Sequence, residues 1–165
     1  MLNIEIKVLT VNEAHDFRAI RLSALVQCPS MFGSTYEIEL AKPLTFFKEC
    51  LLNSKVFGVY YEQKIIGLAI LTQQSGLKFC HKADLSSVFI EPDYQRIGIA
   101  TSLLNTVIKH AKHQVQQILL TVADDNQPAV RLYEKFGFQS YGKELKALKD
   151  NDQYIDEVLM KLFLF

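Results

Sequence analysis

The 165-residue chain has no net charge, with 18 lysines and arginines against 18 aspartates and glutamates. That balance argues against nucleic acid or an anionic membrane as the main partner. The nearest approach to a basic cluster is Lys143, Lys146 and Lys149, which Glu144 and Asp150 interrupt, and it reads as a solvated edge. No apolar run approaches the ~20 residues that span a bilayer. Met1-Leu2-Asn3-Ile4-Glu5 lacks a basic stretch followed by a long apolar one, so no signal peptide is expected. Cysteine is sparse. Cys28, Cys50 and Cys80 are odd in number and share neither a Cys-x-x-Cys nor a metal-ligand spacing. Buried or partly buried thiols in a reducing compartment, and a cytoplasmic location, are the expectation. There is no Walker lysine and no Gly-x-Gly-x-x-Gly, which weighs against a general nucleotide-binding domain. Repeats, linkers and low-complexity segments are absent too. The length fits a single domain, residues 1–165, able to bury about two thirds of its unfolded surface.

What is present is periodic. Ile4, Ile6 and Val8 alternate with Glu5 and Lys7, the pattern of a half-buried strand. Thr10-Val11-Asn12-Glu13 is a capping box, and the helix it opens would bury Ala14, Phe17, Ile20, Leu22, Ala24 and Leu25 before Pro29. Residues 29–42 read as a loop or broken helix, and Pro43 opens a short helix through Leu52. Val56–Tyr61 and Ile65–Thr72 form a hairpin, and Leu85–Ile90 is a further strand. Ala100, Leu103, Leu104, Val107, Ile108 and Ala111 make one helical stripe. Ile118–Val122 is a strand and Pro128–Phe136 a helix capped by Gly137, before strands at Phe138–Tyr141 and Ile155–Leu164. Hairpins joined to a strand–helix–strand passage imply a mixed, twisted α/β sheet.

Val88-Phe89-Ile90-Glu91-Pro92-Asp93-Tyr94-Gln95-Arg96-Ile97-Gly98-Ile99-Ala100 is the most informative stretch. An apolar strand, a turn closed by proline and a helix start with Gln95-x-x-Gly98-x-Ala100 offer unpaired N–H groups and a dipole end to an anion. This cradle resembles the acetyl-CoA site of the GNAT superfamily of N-acetyltransferases. A second segment, Asn126-x-x-Ala129-x-x-Leu132-Tyr133-x-x-x-Gly137-Phe138, resembles the second signature of the same family, in the same order and at roughly the same separation. The resemblance covers about residues 83–140. It implies the GNAT fold, with about seven strands flanked by about four helices and a sheet splayed at the cofactor site, between the strands at 85–90 and 118–122.

The resemblance also implies roles. Backbone N–H groups of Arg96, Ile97, Gly98, Ile99 and Ala100, behind Gln95, would hold the pyrophosphate of acetyl-CoA as co-substrate, with the Thr101 hydroxyl beside them. Family turns often carry glycine where Arg96 stands, and an arginine there offers a further phosphate contact. The main chain of Phe89 and Ile90 would pair with the pantetheine arm and meet the oxyanion. Asn126 would bond near that arm, although turn or cap chemistry in Asp124-Asp125-Asn126-Gln127-Pro128 explains it as well. Tyr133 would protonate the leaving thiolate; its plainer alternative is a core aromatic beside Leu132 and Phe136. Asp84 stands where several members place a glutamate base, with His81 and a water chain at Ser86 and Ser87 as alternatives. His110 and His113 have no third ligand and Cys80 has no activating partner, so neither a metal nor an acyl-cysteine is expected.

The acceptor is expected to be a primary amine attacked directly in a ternary complex, either a small amine or polyamine or a protein N-terminus or lysine. Its walls would be Pro29–Leu40 and a loop at Leu145–Tyr154, with Glu37, Glu39, Asp150 and Asp152 suited to a cation. Arg21-Leu22-x-Ala24-Leu25 and Pro29-x-x-Phe32-Gly33 resemble the N-terminal pattern of many small members and do not name the acceptor. An alternative is a non-catalytic acyl-CoA-binding or sensing module with the same fold. The apolar C-terminus Val158–Phe165 demands sheet pairing or a homodimer.

Overall fold

The capping box at Thr10 forms as read. In the computed structural model, which describes residues 2–165, the Thr10 N–H donates to the Glu13 carboxylate at 2.6 Å and Asn12 N–H donates to Thr10 Oγ1 at 3.3 Å. A 3₁₀ turn at Val11–Glu13 leads from strand β1 (Ile4–Val8) into helix α1 (Ala14–Gln27), whose buried residues are the six expected. The broken-helix segment resolves into a 3₁₀ turn at Pro29–Met31 and a short helix α2 (Tyr36–Leu40), N-capped by Thr35. Pro43 then precedes α3 (Leu44–Asn53). Strands β2 (Lys55–Tyr61) and β3 (Lys64–Gln73) are joined by Glu62 and Gln63, both left-handed with φ of 48° and 67°. Two such residues make the tight turn whose twist matches a hairpin.

Strand β4 (Lys82–Ile90) is followed by α4 (Ile99–Ala111), β5 (Gln117–Ala123) and α5 (Gln127–Lys135). Strands β6 (Gln139–Asp150) and β7 (Gln153–Phe163) complete the fold. The seven strands lie in the order β1-β2-β3-β4-β5-β7-β6. Pairing is antiparallel in β1–β2, β2–β3, β5–β7 and β6–β7, and parallel between Lys82–Asp84 and Gln117–Leu119. This is the mixed sheet expected, with α2 as an additional short helix. Among the described residues no helix is long and apolar enough to cross a membrane.

The residues form two compact units. The first holds the chain up to Thr72 together with Leu85–His110. Its core joins Phe17 and Ile20 of α1, Phe47 of α3, Val56, Leu68 and Phe89, and Phe17 meets Phe47 edge-on at 5.8 Å. Each such side chain contributes roughly 1.5–3 kcal/mol by leaving water. The second unit holds Gln73–Asp84 and Ala111–Phe165. There α5 ends in a Schellman cap. Gly137, at φ 94°, donates to Glu134 O at 2.9 Å, and Phe138 N–H donates to Tyr133 O at 3.1 Å.

One expectation needs correction, and another resolves to one of its alternatives. The segment Leu145–Tyr154 is not a loop, because β6 continues to Asp150 and only Asn151 and Asp152 turn the hairpin. The sequence hid this strand because its residues are polar and exposed and its register slips twice, at Ser140/Gly142 and Glu144/Leu148. The apolar C-terminal stretch pairs as β7 between β5 and β6, with Met160 fully buried. Phe163 and Phe165 remain exposed.

Candidate active site

The turn after β4 lies in the first unit and is braced from both sides. Glu91 N–H donates to Ile66 O at 2.8 Å, tying the strand end to β3. The Gln95 side chain donates to Ile90 O at 2.8 Å, so its amide supports the turn from within. A 3₁₀ turn at Pro92–Tyr94 then leads to Arg96 at φ 63° and Gly98 at φ 90°. Arg96 holds a left-handed conformation that costs a side-chain-bearing residue about 1 kcal/mol. The same geometry suits the glycine of related turns.

The first N–H of α4 with a backbone acceptor is that of Ser102, bonded to Gly98 O at 3.1 Å. Those from Arg96 to Thr101 have none among the described residues. Among the described residues a Cβ on Gly98 would meet no heavy atom within 4 Å, so the space the turn faces is open to them. Ile99 is buried and anchors the helix start, while Ile97 is exposed. Beside the turn lies a cavity of about 430 Å³ lined by Leu2, Ile4, Ile97, Gly98, Ile99 and Ser102. Open space, donors without acceptors and a helix dipole pointing outward suit a pyrophosphate.

Upstream on β4, Ser87 is left-handed at φ 57°, which marks a bend inside a strand. Its hydroxyl accepts from Arg21 Nη1 at 2.5 Å. Arg21 is gripped by Glu39 through Nε at 2.9 and 3.2 Å and Nη2 at 2.9 Å, and the Phe32 ring lies 4.9 Å from its guanidinium. Glu39 is a buried charge already matched, so it is not a free carboxylate for a cationic acceptor. Glu37 is exposed. Ser23 donates to Glu91 at 2.5 Å. The sequence suggests Ser87 for a water chain and gives no sign of its bond to Arg21, since their contact spans 66 positions. Gly67 was also passed over; a glycine inside an apolar strand signals close backbone approach.

In the second unit, Asn126 caps α5, its Oδ1 accepting from Ala129 N–H at 3.4 Å. Tyr133 is buried, packed edge-on against Phe138 at 5.6 Å, and burial pushes its phenol well above the ordinary tyrosine range. Asp84 is exposed at the N-terminal end of β4, and both carboxylate oxygens accept from Gln74 Nε2, at 3.1 and 3.2 Å. His81 lies just before β4, where its carbonyl accepts from Gln116 N–H at 2.8 Å. Among the described residues no group of three or more His, Cys, Asp or Glu is placed to hold a metal. Cys28 and Cys50 are half-buried free thiols, whereas Cys80 is exposed, contrary to the burial expected.

The profile of the Acetyltransferase (GNAT) family matches residues 19–138. The spermine/spermidine N(1)-acetyltransferase of Bacillus subtilis (strain 168) is 32% identical over 105 residues, which are 58% of this chain and 66% of that protein. This chain therefore spans just under two thirds of that relative's length. An N-alpha-acetyltransferase of Sulfolobus acidocaldarius is 27% identical over 151 residues, covering 90% of this chain and 84% of its own. Among solved structures, a GNAT-family acetyltransferase of Streptococcus pneumoniae superposes with a TM-score of 0.87 at 22% identity, covering 99% and 100% of the two chains. The yncA protein of Salmonella typhimurium, solved with its cofactor acetyl-CoA, gives 0.82 at 18% identity over 99% and 95%. At these identities the two structures speak for the fold alone. With the profile running through both signatures, the chain belongs to the GNAT family of acetyltransferases.

Proposed function

We propose that this chain is an acetyl-CoA-dependent N-acetyltransferase acting on a primary amine by direct attack in a ternary complex. The observation that carries the reading is the turn at Arg96–Thr101, with backbone donors lacking acceptors and open space before Gly98. Family membership and the yncA protein's acetyl-CoA support it. The profile draws on residues of both units, which supports treating the chain as one N-acetyltransferase domain.

Acetyl-CoA supplies an acyl group activated as a thioester. The N–H groups from Arg96 to Ala100 bind its pyrophosphate, with the Thr101 hydroxyl alongside, and Gln95 holds the turn to Ile90. The main chain of Phe89 and Ile90 aligns the pantetheine arm as an added strand, and an N–H there meets the negative charge growing on the carbonyl oxygen. Asn126 fixes the start of α5, and a hydrogen bond to pantetheine is its assigned role. Tyr133, kept protonated by burial, gives its proton to sulfur as the C–S bond breaks. Its raised pKa makes it a weak acid, so it retains the proton until thiolate charge appears. Asp84 takes the amine proton through water, and an amine that arrives deprotonated bypasses it.

The acceptor is a small amine, such as the polyamines named for the Bacillus relative, or a protein N-terminus, as named for the Sulfolobus one. With Glu39 neutralised by Arg21, other carboxylates, such as the exposed Glu37, are left to meet a cationic acceptor. Exposed Phe163 and Phe165 are assigned to contact with a second copy, and light scattering that returns a monomer removes that assignment. Calorimetry with acetyl-CoA, followed by thiol release across spermidine, amino acids and peptides, tests the whole reading. Micromolar binding with turnover on one acceptor class is expected. Binding without turnover on any amine points instead to a sensing module, and no binding removes the cofactor site.

A further inference from the structure

We infer that Arg21 is a positioning residue, which through Ser87 sets the bend in β4 that aims the Phe89 and Ile90 main chain at the acyl group. The inference rests on the acetyltransferase reading and goes beyond it. Ser87 lies inside a strand at φ 57°, a conformation that side-chain-bearing residues adopt only when their surroundings over-determine it. The group that over-determines it is Arg21, whose Nη1 donates to Ser87 Oγ at 2.5 Å. The guanidinium in turn is fixed by three hydrogen bonds of 2.9 to 3.2 Å to Glu39 and by the Phe32 ring at 4.9 Å. Side-chain exposures of 14% for Arg21 and 7% for Glu39 keep water from competing.

The arrangement is expensive for a purely structural purpose. A buried ion pair is often replaceable by apolar residues without loss of stability, so its retention here calls for what the pair positions. Three consecutive steps connect α2 to the site: Glu39 holds Arg21, Arg21 holds Ser87, and Ser87 sets the direction of the residues after it. Phe32 and α2 belong to the segment assigned to the acceptor. Moving that wall moves Glu39, so acceptor binding and main-chain aim share one linkage.

Truncating Arg21 alone buries an unpaired Glu39 carboxylate and endangers folding, so the informative variant replaces both partners, Arg21→Met with Glu39→Leu. Wild-type and variant are compared by calorimetry with acetyl-CoA, by steady-state kinetics, and by amide NMR of Val88 and Phe89. The expected result is a kcat lower by about 10- to 100-fold, the cost of a small misplacement at the reacting centre, with acetyl-CoA Kd within about 2-fold. The Val88 and Phe89 amides shift while those of Val56 and Leu68 do not. Adding Ser87→Gly, which accepts a positive φ without strain, restores part of kcat. Unchanged kcat and unchanged amides in the folded double variant overturn the inference, as does a loss of kcat that Ser87→Gly leaves untouched. A wild-type protein that never turns over refutes the enzymatic reading separately, and the NMR comparison still decides whether Arg21 sets the bend.

Discussion

A methyl group placed on Gly67 would stand 2.9 Å from the carbonyl oxygen of Phe89. It would also meet Ile90 Cδ1 at 2.6 Å. The isoleucine can turn aside, but the carbonyl belongs to main chain and cannot. Gly67→Ala therefore displaces β4 where it is assigned to align the cofactor. The expected cost is about 1–3 kcal/mol of stability, the range for an overpacked core. Acetyl-CoA affinity should fall as well, read by calorimetry beside a thermal melt. A variant as stable and as tight-binding as wild-type would mean that β3 and β4 can separate freely there.

Gly98→Glu isolates the turn. Among the described residues no neighbour in space lies within 4 Å of the added carbon, so packing does not suffer, although φ 90° leaves some backbone strain. The carboxylate occupies the space given to phosphate and repels it. Loss of measurable acetyl-CoA binding with a near-native circular dichroism spectrum is the expected outcome. Retained micromolar affinity removes the pyrophosphate from this turn.

Tyr133→Phe deletes one hydroxyl from a buried ring that packs on Phe138. Packing is conserved, so stability and acetyl-CoA affinity should stay near wild-type. General acid catalysis contributes about 10²–10⁴-fold, and kcat should drop within or just below that span. An unaltered kcat assigns the residue to the core.

Thr10→Ala tests the helix start and its pH dependence. Losing the cap should cost roughly 1 kcal/mol at neutral pH. Thr10 holds the Glu13 carboxyl below the usual carboxylate range, chiefly through its side-chain hydrogen bond. A depressed folded-state pKa means the contribution is present above the unfolded value and fades as pH falls through the folded one. The gap between wild-type and variant melts should therefore narrow below about pH 4, with the bond from Asn12 N–H to Thr10 keeping part of it. A gap that is constant from pH 7 to 3 would separate the cap from Glu13 ionisation.

Local signals were legible wherever a few neighbouring residues decide the outcome. Thr10 and Glu13, the six buried positions of α1, and Gly137 after Tyr133 each carry their instruction within one or two turns of chain. Family resemblance added the purpose of the Gly98 turn, which spacing alone left as a generic anion site. The Arg21–Glu39–Ser87 chain was illegible because its contacts span 18 and 66 positions. Nothing local distinguishes a buried, matched Glu39 from a solvated one, so the sequence alone reads as a free acid there. Strand β6 failed for the opposite reason: its polar residues carry no period once the register slips.

Those slips in β6 also bear on how the molecule meets its own copies. The strand closes one side of the sheet order, and its twelve residues run along an open edge. A flat edge of that length would let a neighbouring chain zip on through a continuous ladder. Here Lys146 sits at φ 55° with its N–H turned inward to Asp156 at 2.7 Å, and the ladder is broken on both sides of Lys143. An incoming strand finds only short stretches in register. Self-association through this edge must then be built from side chains, which leaves it reversible where an extended sheet would not be.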